Sequence, residues 1–221
     1  MQADYAASTD VATLLDPAAT VWSGATEERV PMTGTPAAIQ PREAICNSWA
    51  SKKIGAVSSV KVRALHNGSE LAFRLEWDAP NHKTSHGNNS EFPDGAAIAF
   101  PVVANAPVMM GAPEMPINIW FWRANGKGGD ARQIGAAGIG TSDTIKGNKD
   151  VVVNGVWANG KWSVVIARKM AVAQGAQVAQ LKAGESAQFS LAVWDGSSGE
   201  RGGIKSFSGP AWLDLSLVAG N

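Results

Sequence analysis

Ser59-Val60-Lys61-Val62-Arg63-Ala64-Leu65-His66-Asn67-Gly68-Ser69-Glu70-Leu71-Ala72-Phe73-Arg74-Leu75-Glu76-Trp77 decides the fold class. Val60, Val62 and Ala64 alternate with polar residues, and so do Leu71, Phe73, Leu75 and Trp77 beyond Asn67-Gly68. A period of two turns one side of each run towards a core and the other towards water. Asn-Gly between two such runs is the strongest short-range sign of a β-hairpin.

Further runs repeat the pattern. Ala96 to Val103 is almost continuously apolar, as expected of a strand covered on both faces. From Ile117 to Trp122, Ile117, Ile119 and Phe121 alternate with Asn118, Trp120 and Trp122, giving an aliphatic face opposite an aromatic one. Val151 to Met170 reads as a second hairpin around Asn159-Gly160, with Trp157 and Trp162 flanking the turn. Ala187 to Trp194 and Trp212 to Val218 add strands, and Val21-Trp22 and Arg29 to Met32 read as short edge strands. The pattern predicts a mainly β chain: an antiparallel β-sandwich with long loops and a few short helices. Residues 34–58 and 78–93 have loop composition, 126–149 read as Gly-rich and irregular, and 171–185 leave room for a short helix. Residues 1–20 are small and polar and read as a loosely ordered N-terminal arm. Residues 21–221 then form one domain, with no repeat or linker to divide it.

Composition narrows the function. The 221 residues carry 19 basic and 19 acidic side chains, a balance that argues against nucleic acid as partner. Cys46 is the sole cysteine, so an intrachain disulfide, a Cys-ligated Fe–S cluster and covalent c-type haem are all excluded. It reads as a small core residue. No run reaches the length of a membrane-spanning helix, and Met1-Gln2-Ala3-Asp4-Tyr5 shows no secretory leader.

Two segments stand apart. Pro107-Val108-Met109-Met110-Gly111-Ala112-Pro113 leads into the strand at Ile117. Trp194-Asp195-Gly196-Ser197-Ser198-Gly199-Glu200-Arg201-Gly202-Gly203-Ile204-Lys205 carries another strand into a Gly-rich loop that ends on a lysine. On general grounds such a Met fills a core and such a Lys is solvated. Together, however, the segments resemble the haem-binding gamma subunits of periplasmic molybdenum enzymes such as ethylbenzene dehydrogenase. Similar subunits occur in dimethylsulfide dehydrogenase, chlorate and selenate reductases and the steroid C25 dehydrogenases. The likeness runs from roughly Trp22 to Leu217.

The resemblance implies one non-covalent haem b with Met110 and Lys205 as axial iron ligands. Met109 is the rival, because neighbours in extended chain face opposite ways, and Met115 is a weaker one. It also implies an electron-transfer subunit with no chemistry of its own. That subunit joins an Fe–S beta subunit and a molybdopterin-containing alpha subunit in the periplasm, and exchanges electrons with an external carrier such as a c-type cytochrome. Export then relies on a leader already removed or on a partner's signal. The catalytic subunit is expected to hydroxylate a hydrocarbon or steroid side chain, with an oxyanion reductase as the alternative.

The chemistry suits these residue types. A thioether favours Fe(II), while lysine ligates only as the free amine and needs a pKa well below its usual value of about 10.4. Ile204, Phe207 and Trp212 are apolar neighbours of Lys205 in sequence, Pro107 and Pro113 stiffen the methionine loop, and Gly111 allows backbone to pass close to a flat macrocycle. Other signals are weak. His66, His82 and His86 have no metal-site spacing. Gly135 to Thr141 lacks a phosphate-loop pattern, and Asp195, Glu200 and Asp214 do not match a calcium loop. The nine Trp support a rival from another class, a carbohydrate-binding β-sandwich without haem.

Overall fold

The computed structural model describes residues 1–87, 91–145, 150–173 and 178–220. Its first part comprises β1 (Gln2–Tyr5), α1 (Val11–Leu15), β2 (Glu27–Pro31), β3 (Thr33–Gly34) and α2 (Glu43–Trp49). Next come β4 (Ser59–His66), β5 (Glu70–Asp78), β6 (Gly95–Pro101), β7 (Ile117–Arg123), β8 (Asp130–Ala136) and β9 (Asp143–Thr144). The chain closes with β10 (Val152–Ala158), β11 (Lys161–Lys169), β12 (Ser186–Trp194), β13 (Ser206–Phe207) and β14 (Leu213–Leu217).

The expected hairpin is β4–β5, with Ala64 opposite Phe73 and His66 opposite Leu71. Gly68 takes the positive φ of +96° that its turn requires. Asn67 contributes through its side chain, whose Oδ1 accepts from the amides of Ser69 and Glu70 at 2.9 and 2.8 Å. The second hairpin, β10–β11, lies against β5. Two sheets result. One runs β10-β11-β5-β4-β1-β14-β12, and the other continues from β12 through β6, β7 and β8 to β9. β12 belongs to both, because Ser186 to Phe189 pair with β14 and Ser190 to Trp194 pair with β6. The antiparallel β-sandwich expected from the sequence is therefore the architecture found. Its one exception is β1, which runs parallel to β4 and β14.

Four expectations differ from the fold. Residues 1–20 are not a loose arm: β1 fills a place between β4 and β14, and Leu14 of α1 is buried beneath Trp22 Nε1, which donates to the Leu14 carbonyl at 3.1 Å. Val21 and Trp22 lie in a 3-10 turn instead of an edge strand. Within 126–149, Asp130 to Ala136 is a full strand, because the backbone pairing with β7 outweighs the low strand propensity of its Gly and Ala. No helix occurs in the described residues of 171–185, and residues 174–177 of that expectation lie outside them.

Between the sheets, aromatic rings meet edge to face. Phe73 and Trp120 have centroids 6.3 Å apart, and Trp77 and Trp122 lie 6.0 Å apart. One charge is buried among them. Arg168 of β11 is fully buried, with its guanidinium 4.7 Å from the Trp120 ring centre. Its Nη1 donates to Asn118 Oδ1 at 2.9 Å, and its other nitrogens donate to the carbonyls of Lys169, Met170 and Ala179. Burial lowers Arg168 to about 10, and the Asp150 charge opposes that shift. Four of its five N–H groups have acceptors and every guanidinium nitrogen donates, which keeps the buried charge solvated by protein groups. Asn118→Leu is expected to cost about 3 kcal/mol in urea unfolding, by stranding that charge. Paired with Arg168→Leu it should cost less than the two single changes added together, and strict additivity would show that the two do not act as a unit.

Candidate functional site

With Asn118, Trp120 and Trp122 facing the core, alternation sends Ile117, Ile119, Phe121 and Arg123 to the opposite side of β7. Register sets small residues beside them. Ala97 pairs with Phe121 and Ala192, Ala99 with Ile119 and Ser190, and Gly95 with Arg123 and Trp194. The result is a low floor of Gly, Ala and Ser, walled by Ile134, Phe121 and Trp194. Over it lies a cavity of ≈ 550 Å³, closed by residues 108–110, by residues 200–207 and by Thr35 to Ile45. That size is in the range of small-molecule and cofactor sites.

The segment 34–58, expected to be a surface excursion, forms the roof. It is pinned at two places to the Gly-rich loop. β3 pairs with β13, and the amide of Thr35 donates to the Lys205 carbonyl at 3.0 Å. Glu200 is the second pin: its buried carboxylate accepts from the amides of Gly55, Ala56 and Asp195 at 2.8, 3.0 and 3.0 Å. Burial raises the Glu200 pKa, and these amide bonds oppose the rise.

Met110 and Lys205, the residues singled out in sequence, line this one cavity. Met110 sits in a tight turn with φ +68°, and its carbonyl accepts from Gly138 at 2.8 Å, tying the loop to the end of β8. It packs against the cluster of Ala97, Ile117, Ile119 and Ala136. Met109 lines the cavity as well, whereas Met115 is exposed and does not. Gly111 is needed for a reason other than a macrocycle. A Cβ there would stand 2.7 Å from the Met115 carbonyl oxygen and 3.0 Å from that of Ala136, so protein backbone fills the space.

Lys205 is half-buried, and its Nζ lies 5.0 Å from the Trp194 ring centre, with no carboxylate partner among the described residues. Burial lowers its pKa to about 8. Ile204 and Phe207, its apolar sequence neighbours, are buried, and Trp212 Nε1 donates to the Ala106 carbonyl at 2.7 Å. A thioether and an amine with a lowered pKa thus line one apolar cavity, and both are donor types that a transition metal accepts.

The other polar candidates are dispersed. His66 is buried, with Nε2 2.7 Å from the Val218 carbonyl, and burial lowers its pKa. His82 stacks on Trp157, and His86 meets Arg123 at the cavity edge. Asp195 caps a 3-10 turn, and Asp214 lies on β14 near Gln188. Among the described residues no cluster of three His, Cys, Asp or Glu is placed to hold a metal. Cys46 is half-buried on α2 rather than in the core. Six of the nine Trp are buried, and Trp157, Trp194 and Trp212 are half-buried. Sequence reasoning missed the cavity floor, whose trace is a small residue at every second position of Gly95-Ala96-Ala97-Ile98-Ala99. It also missed the rim residues Arg42, His86, Arg123 and Arg132.

A family model described as ethylbenzene dehydrogenase matches residues 19–147 and 136–206. The chain belongs to this family. Chlorate reductase subunit gamma of Ideonella dechloratans is 31% identical over 89% of this chain and 77% of that protein. A Haloferax mediterranei protein, provisionally named a respiratory nitrate reductase heme subunit, is 25% identical over 87% of this chain and 65% of its own length. Dimethylsulfide dehydrogenase subunit gamma of Rhodovulum sulfidophilum is 27% identical over 65% of this chain, which spans 55% of that relative. In fold, the chain is similar to a family 9 carbohydrate binding module of Caldicellulosiruptor kristjanssonii solved with glucose. The TM-score is 0.58 and the identity 10%, over 100% of this chain and 96% of the module. At that identity the likeness concerns the fold alone. No helix among the described residues is long and apolar enough to cross a membrane.

Glu200→Ala is expected to cost about 3 kcal/mol, because it leaves three amides without their acceptor. Hydrogen exchange at Gly55, Ala56 and Asp195 should accelerate together; unchanged exchange there would show that Glu200 does not pin roof to loop.

Proposed function

We propose that this chain is an electron-transfer subunit of a molybdenum oxidoreductase, carrying one non-covalent haem b with Met110 and Lys205 as its axial ligands. One observation carries this: an amine with no acidic partner among the described residues lines the same apolar cavity as a methionine held in a tight turn. The relatives' names support it, since two are gamma subunits and a third is a heme subunit. The residues fit such a group. The small Gly, Ala and Ser floor leaves room for a macrocycle, the Ile and Phe walls are apolar, and the donor set has one soft and one amine ligand.

When bound, haem supplies a one-electron Fe(III)/Fe(II) couple. The thioether of Met110 favours the reduced state and raises the potential. The amine of Lys205 gives up its proton more easily than a solvated lysine, because burial has already lowered its pKa to about 8. Pinning of the roof through Glu200 holds Lys205 in place from both flanks. The partners are an Fe–S beta subunit and a molybdopterin-containing alpha subunit, with a carrier such as a c-type cytochrome outside the complex, in the periplasm. Substrate is handled by the catalytic subunit, so one haem subunit serves hydrocarbon or steroid side-chain hydroxylation and oxyanion reduction alike.

Lys205→Ala is expected to convert a low-spin haem spectrum to high-spin and to lower occupancy. An unchanged low-spin spectrum would remove Lys205 as ligand. Met110→His should keep haem and lower its potential, since imidazole stabilises Fe(III) more than a thioether does. An unchanged potential would shift the assignment to Met109. Purified from its source, the chain should come with molybdenum and non-haem iron in one assembly, and a haem-containing monomer would refute the subunit role.

A further inference from the structure

Two of the arginines lining the cavity stand together at its β7–β8 side. Arg123 ends β7 on the floor's own face, opposite Gly95 on one strand and Asp130 on the other. Arg132 stands on β8 opposite Phe121. Both line the cavity. Their guanidinium groups share one carboxylate: Nη2 of Arg123 is 2.9 Å and Nη2 of Arg132 is 3.5 Å from Oδ2 of Asp130. Nη1 of Arg123 is 2.9 Å from Nε2 of His86, and Nε of Arg123 is buried with no hydrogen-bond partner among the described residues.

Two cations with one anion leave an excess positive charge, and a buried N–H without an acceptor costs free energy. A guanidinium fork matches a carboxylate in geometry and charge. Glu200, the acidic residue lining the cavity, is already held by three amides and cannot supply that carboxylate. The other cavity arginines are placed differently. Arg201 lies over the Phe92 ring at 4.3 Å and donates to the Gly199 carbonyl, and Arg42 is exposed on the roof.

Resting on the haem assignment above, we infer that Arg123 and Arg132 bind a propionate of the macrocycle and fix its orientation in the cavity. The carboxylate-bearing edge is then directed to the β7–β8 side of the cavity. The apolar rim of the ring covers the Ala97, Ala99 and Ala192 floor, where no charge competes for it.

The test compares haem b with its dimethyl ester, in which both propionates are uncharged, by titrating each into the full-length chain and following the Soret band. Wild-type protein should bind the free acid about 10–100-fold more tightly than the ester. Arg123→Gln/Arg132→Gln should lose that preference while keeping its affinity for the ester, so the ester serves as the internal check on folding. Arg123→Lys/Arg132→Lys, with charge but without the fork, should keep part of it. Equal wild-type affinity for the two macrocycles, or a preference that survives the double Gln change, overturns the inference while leaving the haem assignment intact. Failure of the wild type to bind either macrocycle overturns both, so the two failures are told apart.

Discussion

The hydrogen bond from Arg168 to Asn118 joins the two sheets, and the rest of the molecule is arranged around it. Asn118 Oδ1 also accepts from Trp120 Nε1 and Gln133 Nε2, so four side chains from three strands meet at one oxygen-centred cluster. Such a network is costly in any other register. Sliding β7 by one residue would put Asn118 outside and leave the Arg168 charge among indoles and phenyl rings. The bond therefore does more than hold the sheets together. It determines which half of β7 becomes core and which half becomes cavity floor.

That choice explains why an apolar floor exists on the outside of a sandwich. Ile117, Ile119 and Phe121 face outwards because their neighbours are committed inwards, and they would lie bare to water without a cover. The chain supplies one by folding residues 35–45 across them and fastening that cover to the Gly-rich loop. Lys205 sits at the fastening, with its backbone bound to Thr35 and its amine near the Trp194 ring beside the cavity. A pinned backbone and an amine without a carboxylate partner among the described residues are thus properties of one residue. A lysine on a free loop would find water or a carboxylate.

The hairpins were legible because their alternation and turn residues are local. Asn67-Gly68 and Asn159-Gly160 need no knowledge of the remainder of the chain. Met110 and Lys205 were singled out only by resemblance, since nothing local distinguishes such a Met or a loop Lys from its many counterparts. The N-terminal strand was missed because Gln2 to Tyr5 has no pattern of its own; its place is created by the open edges of β4 and β14. Glu200 was missed for a similar reason. A carboxylate in a Gly-rich loop looks solvated until the amides of Gly55 and Ala56, about 145 residues away, are brought to it. Long-range partners leave no mark at the positions they will contact.

β1 has a consequence for the order in which the molecule is assembled. Among the described residues it is the strand that links β4 to β14, and Gln2 lies opposite Ser216. The β4–β5 and β10–β11 hairpins close locally and early, but this junction joins the most distant parts of the chain and carries the greatest loop-closure entropy. Synthesis from the N-terminal side has therefore made the first strand long before its second neighbour exists. Until residues 213–217 have been synthesised, that sheet remains split and the strand that carries Trp194 lacks one flank. The nascent sheet stays open until then, and the cavity beside it takes its final shape only afterwards.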